Sequence, residues 1–113
     1  HKKALKLKSE CDLFIDQVHN RGGWGYGMNS IEALSMGLCC LTELIPEYVE
    51  FIPDHPFINI NGENLYSTLI EILDNPQKIH HHKKMGREWV VNKHDLTYTA
   101  EKLYEFYREK SWL

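Results

Sequence analysis

Long apolar runs are missing from this 113-residue chain. None approaches the ~20 residues that a membrane-crossing helix needs, and nothing resembles a signal peptide. Cysteine is scarce and odd in number, with Cys11, Cys39 and Cys40 alone. Three thiols, two of them adjacent, make no disulfide framework and suit a reducing cytoplasm. There is no basic excess: 13 Lys and Arg against 16 Asp and Glu leave a net charge of −3. A domain that grips nucleic acid through its phosphates is usually basic, so nucleic acid is not an expected partner. An initiating methionine is absent too. Position 1 is His1, within a stretch of helical pattern, and the sequence is expected to be an excerpt of a longer protein. Repeats and low-complexity segments do not occur. What is there is ordinary for a folded domain, 42% hydrophobic and 26% charged residues, so disorder is not expected. At this length residues 1–113 form one domain at most.

The pattern along the chain alternates short buried runs with helical ones. Residues 1–10 carry Ala4, Leu5 and Leu7 among lysines, a weak amphipathic helix. Residues 11–17 follow as a strand, and their consecutive Leu13, Phe14 and Ile15 fit a parallel strand covered on both faces. A helix is expected over 28–36, stopped by Gly37 in the left-handed conformation. Cys39, Cys40, Leu41 and Thr42 form the next strand, on which the two cysteines face opposite ways as buried small residues. Pro46 opens one helical turn to Val49. Residues 57–60 read as a third strand, ended by Asn61 and Gly62. Leu65, Leu69, Ile72 and Leu73 recur at helical spacing. Asn75 and Pro76 cap and start another helix, with Ile79, Met85, Trp89 and Val90 on its apolar side. A last helix from about Thr97 carries Ala100, Leu103, Tyr104, Phe106 and Tyr107. Its aromatics, together with Tyr98 and Trp112, are expected mostly in the core or in packing, with some awaiting a partner surface that lies outside these residues. Helical crossovers between buried strands imply α/β architecture: a Rossmann-like parallel sheet with flanking helices, ending in extra C-terminal helices. Three strands make a thin sheet. They read as the second half of a doubly wound domain, with strand 11–17 at the switch point where ligands bind.

Residues 22–37 are the stretch around which the chain is organised. Glycines stand at 22, 23, 25 and 27, between the first strand and the helix. Glycine lets the backbone approach a ligand closely, and the free N–H groups at a helix start attract an anion. Strand, glycine-rich turn and helix together therefore point to phosphate. Asp16 and Gln17 end the strand beside this turn, suited either to a site or to bracing the loop backbone. His80, His81 and His82 do not make a metal site: consecutive helical residues point about 100° apart, and Lys83 and Lys84 add repulsion.

In combination, residues 11–17, residues 25–37, Leu41-Thr42 and Pro46-Glu47 resemble the carboxyl-terminal domain of retaining, nucleotide-sugar-dependent glycosyltransferases of the GT-B fold, the large group 1 (family 4) type. The resemblance continues through Asn75-Pro76, Met85-Gly86 and residues 103–108. It implies the second half of a donor-binding, Rossmann-like domain. The partners implied are a nucleotide-sugar donor, as substrate with no separate cofactor, and an N-terminal Rossmann-like domain lying outside these residues. Glu32 matches the family glutamate that accepts hydrogen bonds from the ribose hydroxyls. Gly27, Met28 and Asn29 match the turn whose amides meet the diphosphate, which would lie over Gly25, Tyr26, Gly27, Met28 and Asn29. The family's second glutamate, eight positions earlier, is here Trp24, so the donor-sugar contact is unassigned and no catalytic residue is named. The basic residue holding the phosphates is expected upstream of His1.

A plainer role competes for Glu32. Asn29-x-x-Glu32 has the form of a capping box, in which Glu32 bonds back to the Asn29 amide and starts the helix. At the level of the whole chain, two alternatives stand beside the transferase. One is a Rossmann-like assembly module whose nucleotide site is idle; the other is a GT-B-fold epimerase using the same nucleotide chemistry.

Overall fold

The strand Cys39–Thr42 is buried along its whole length and is the centre of a three-stranded parallel sheet. The computed structural model describes residues 1–19 and 25–113. Their elements in chain order are α1 (Lys2–Ser9), β1 (Leu13–Ile15), α2 (Met28–Ser35), β2 (Cys39–Thr42), α3 (Pro46–Phe51), β3 (Ile58–Asn59), α4 (Leu65–Leu73), α5 (Pro76–His94) and α6 (Leu96–Glu109). The expected alternation of strands and helices is observed. The sheet order is β1-β2-β3, with Leu13 opposite Cys39, Phe14 opposite Cys40 and Leu41 opposite Ile58.

β2 spans its expected residues, whereas β1 and β3 are shorter than the strands expected over 11–17 and 57–60. Backbone bonds nevertheless run on. The Asp16 N–H donates to Leu41 O at 3.0 Å, Glu43 N–H to Gln17 O at 3.0 Å, and Ile60 N–H to Thr42 O at 3.1 Å. Side chains alternate across the sheet and build two cores. Cys40 joins Leu34, Leu44, Phe57, Trp89 and Val90 on one face. Cys39 joins Leu41, Ile60 and Ile72 on the other. The two adjacent cysteines thus point to opposite faces, as period two requires. α5 serves both cores, since Ile79 packs on the second while Trp89 and Val90 belong to the first. A Lys83–Asp12 ion pair of 2.7 Å ties its middle to the start of β1.

α2 ends in a Schellman motif. Leu38 N–H reaches Ala33 O at 3.0 Å, Gly37 N–H reaches Leu34 O at 3.0 Å, and Gly37 sits at φ +77°. Its last helical residue is Ser35, one short of the expected Met36, which is the C-cap. Asn75 caps α5 with its side chain, as expected.

Three expectations need correction. Leu73, the last residue of α4, is exposed, and Ile72 before it is the buried residue of that helix. α6 begins at Leu96 behind an Asp95 cap, not at Thr97. Its aromatics are not core: Tyr98, Tyr104 and Phe106, with Trp112 beyond it, are exposed, and α6 buries no residue. The helix is amphipathic, but no described element lies against most of its apolar stripe. Phe106, Tyr107 and Trp112 pack on one another, with Tyr107 and Trp112 centroids 5.5 Å apart.

Candidate functional site

Gly22, Gly23 and Trp24 lie outside the described residues, so the site is built from Gly25 onward. Gly25 is buried at φ +96°, and a methyl group there would fall 2.8 Å from the Tyr48 ring. Only glycine meets both demands without strain. The Gln17 side-chain amide donates to the Gly25 carbonyl. Gln17 therefore braces the loop backbone, one of the two roles its position allows.

Tyr26 turns inward. Its ring lies 5.0 Å from Phe57, 5.6 Å from Trp89 and 6.0 Å from Tyr48, centroid to centroid. Its hydroxyl is 3.1 Å from His94 Nε2. Burial pushes the phenol above its ordinary pKa, helped by the charges of Tyr48 and Asp54, while burial pushes His94 down. Of Tyr26, then, the backbone alone is left to face a ligand over the turn.

Gly27 is the N-cap of α2, in extended backbone. A capping box would place the N-cap at Asn29, and that expectation is corrected here. The helix starts two residues sooner, and no described side chain caps it. The first-turn amides of α2 consequently lack intrahelical acceptors, beside exposed Gly27, Met28 and Asn29. A helix start of this kind favours a nearby negative charge.

Two carboxylates flank that opening. Asp16 accepts a hydrogen bond of 2.5 Å from the hydroxyl of Ser30, which is fully buried. A methyl group on Gly27 would stand 3.7 Å from Asp16 Oδ2, so the carboxylate is beside the helix start. The Cys40 thiol sits behind, 3.6 Å from Ser30 Oγ. On the other flank, Glu32 Oε2 accepts from Lys8 Nζ at 2.7 Å, and the His1 ring is 3.4 Å from Oε1. The same ammonium donates to Asn29 Oδ1 at 3.1 Å and lies 5.0 Å above the Phe14 ring. Lys8 is thus bound to both candidate residues on this face of α2.

The sequence pattern does not single out Lys8 as the partner of Asn29 and Glu32. Four lysines share α1, and charge does not distinguish them. The one available signal was periodicity, because Leu5 and Lys8 are the two half-buried positions of α1, one turn apart. In the histidine run, His82 is half-buried and turns toward Pro56 O at 3.1 Å, while His80 and His81 are exposed. Among the described residues no group of His, Cys, Asp and Glu converges as a metal site, and no helix is long and apolar enough to cross a membrane. In comparisons with protein-family models, curated proteins and solved structures, nothing matches this chain.

Proposed function

We propose that this chain is the donor-binding part of a retaining, GT-B-fold glycosyltransferase that passes a sugar from a nucleotide sugar to an acceptor hydroxyl. The observation that carries the reading is the open first turn of α2, capped by Gly27 at the carboxyl end of β1, with Glu32 one turn further in. A nucleoside diphosphate over residues 25–29 would meet backbone amides and the positive end of α2. Glu32 would accept a ribose hydroxyl. The contribution to chemistry is electrostatic: fixed amides stabilise charge that builds on the departing diphosphate. The acceptor side belongs to a further Rossmann-like domain, so residues 1–113 alone are expected to transfer no sugar. Free cysteines, with Cys39 and Cys40 buried, fit a reducing, cytoplasmic setting.

An amide-shift titration of the chain with uridine and guanosine diphosphates tests the reading. Shifts confined to residues 25–32 are the expected result. A spectrum unchanged at millimolar nucleotide would overturn it. The second reading is an assembly module with an idle site. Asp16 favours it, because a carboxylate beside the start of α2 already supplies the negative charge that a helix dipole attracts. In that case Asp16→Asn destabilises the fold and uncovers no nucleotide binding.

A further inference from the structure

We propose that Lys8 is a positioning residue for the ribose-binding face of α2. The inference rests on the donor-binding reading above and names a residue on which that reading depends. Asn29 and Glu32 are neighbours at i and i+3, so their side chains stand side by side. One ammonium bonds both, at 3.1 Å to Asn29 Oδ1 and 2.7 Å to Glu32 Oε2. It does so from a restricted place, since the Lys8 side chain is 12% exposed and Glu32 is 26% exposed. The Phe14 ring beneath the ammonium, 5.0 Å away, limits the paths its stem can take. An exposed lysine wanders among rotamers, and its ion pairs are worth little. This one is held on three sides.

Two consequences follow for a ligand. The first is direction. A carboxylate offers about four lone-pair sites, so Lys8 on Oε2 leaves Oε1 able to accept from a hydroxyl. Oε1 faces the exposed His1 ring at 3.4 Å, a contact that an incoming hydroxyl can replace. The second is charge. Asp16 already places one negative charge beside the opening. An unpaired Glu32 would add a second against a diphosphate, and Lys8 cancels it. Lys8 thereby lets an acidic residue act as a hydroxyl acceptor one turn from an anion.

The test compares nucleoside diphosphates with their 2′,3′-dideoxy forms by amide-shift titration of the 1–113 chain, using the uridine and guanosine series. Hydrogen bonds to a charged group make the ribose hydroxyls worth roughly tenfold or more in Kd. The wild-type chain is expected to prefer the ribose form by that ratio. Lys8→Met keeps the stem over Phe14 and removes the ammonium. It is expected to drop the ratio to near one, as Glu32→Gln does, while Lys8→Arg restores it. Should Lys8→Met fail to fold, Lys8→Gln is read in the same way. A ratio that survives the loss of the ammonium overturns the role of Lys8 and leaves the donor site standing. A wild-type chain that binds none of the four nucleotides overturns the donor site itself and the role of Lys8 with it.

Discussion

Gly86 of α5 packs directly on Leu34 of α2: a methyl group at position 86 would lie 2.6 Å from Leu34 Cδ2. Leu34 is fully buried, so its side chain would have to shift within the core to make way. Alanine in place of glycine inside a helix gains about 1 kcal/mol of intrinsic propensity, whereas overpacking a tight core costs ~1–3 kcal/mol. The overlap is expected to win, so Gly86→Ala should lower stability by about 1 kcal/mol in urea unfolding. The sign should reverse once Leu34→Ala has opened the space. Leu34→Ala alone costs ~2–5 kcal/mol, and adding Gly86→Ala to it should restore up to about 1 kcal/mol. Two penalties that simply add would exclude this contact as the reason for the glycine.

Gly25 and Gly27 are expected to respond to alanine in different ways. At Gly25 the backbone is left-handed and the Tyr48 ring stands 2.8 Å from the added methyl. Left-handed backbone alone costs a side-chain-bearing residue ~1–2 kcal/mol, so Gly25→Ala should destabilise the fold by at least that much. At Gly27 the backbone is extended and the nearest atom is Asp16 Oδ2 at 3.7 Å. Gly27→Ala should cost under about 1 kcal/mol, mostly as a poorer N-cap, while narrowing the approach to the α2 amides. Unfolding midpoints read the first difference, and nucleotide titration of Gly27→Ala reads the second.

Cys39 and Cys40 are expected to set an alkaline limit on the stability of the fold. Burial pushes Cys39 up to about 11, with Lys83 and Lys78 drawing it partly back. Burial pushes Cys40 up to about 12, against the lowering effect of its bond to Ser30. An unfolded thiol ionises near about 8.5. Below that pH both states hold the protons, and the stabilisation from these thiols is fully present. As pH rises beyond it the unfolded chain releases its protons first, so stability should decline between about pH 9 and 12, by up to ~1.4 kcal/mol per pH unit for each thiol. The urea midpoint should fall more steeply over that range for the wild-type chain than for a Cys39→Ala/Cys40→Ala variant. At pH 8, iodoacetamide should label exposed Cys11 and spare the other two until the chain unfolds.

How legible these features were depended on whether a residue's role is set locally. The opposite facing of Cys39 and Cys40 follows from strand period alone, and the left-handed Gly37 from its place after an apolar helix. The start of α2 was harder. Asn29 and Glu32 have capping-box spacing, yet Gly27, with no side chain to contribute, takes the cap because the helix is already formed at Met28. Glu32 is engaged by Lys8, 24 residues earlier. That contact depends on how α1 lies over β1 and α2, which no window of sequence encodes. The α6 aromatics failed for a related reason: helical periodicity marks an apolar stripe, but whether anything lies against it is a tertiary fact.

The caps of α5 and α6 separate a helix held by packing from one held by its own ends. Asn75 accepts from Lys78 N–H at 3.4 Å, and α5 buries Gly86, Trp89 and Val90 further along. Asp95 accepts from Thr97 N–H at 3.0 Å and Tyr98 N–H at 3.3 Å, but α6 buries nothing. Replacing a cap with alanine typically costs ~1 kcal/mol. In α5 the first turn cannot fray without disturbing the cores that Ile79 and Trp89 join, so Asn75→Ala should shift global unfolding by ~0.5–1 kcal/mol, the low end reflecting its long bond. In α6 the loss should stay local, because the domain does not need the helix in order to close its core. Asp95→Ala should therefore leave the urea midpoint within about 0.3 kcal/mol while speeding amide exchange over residues 97–101 roughly fivefold, as ~1 kcal/mol of lost capping implies. A global shift as large as that of Asn75→Ala would mean that α6 is packed against the domain more firmly than its exposed aromatics indicate.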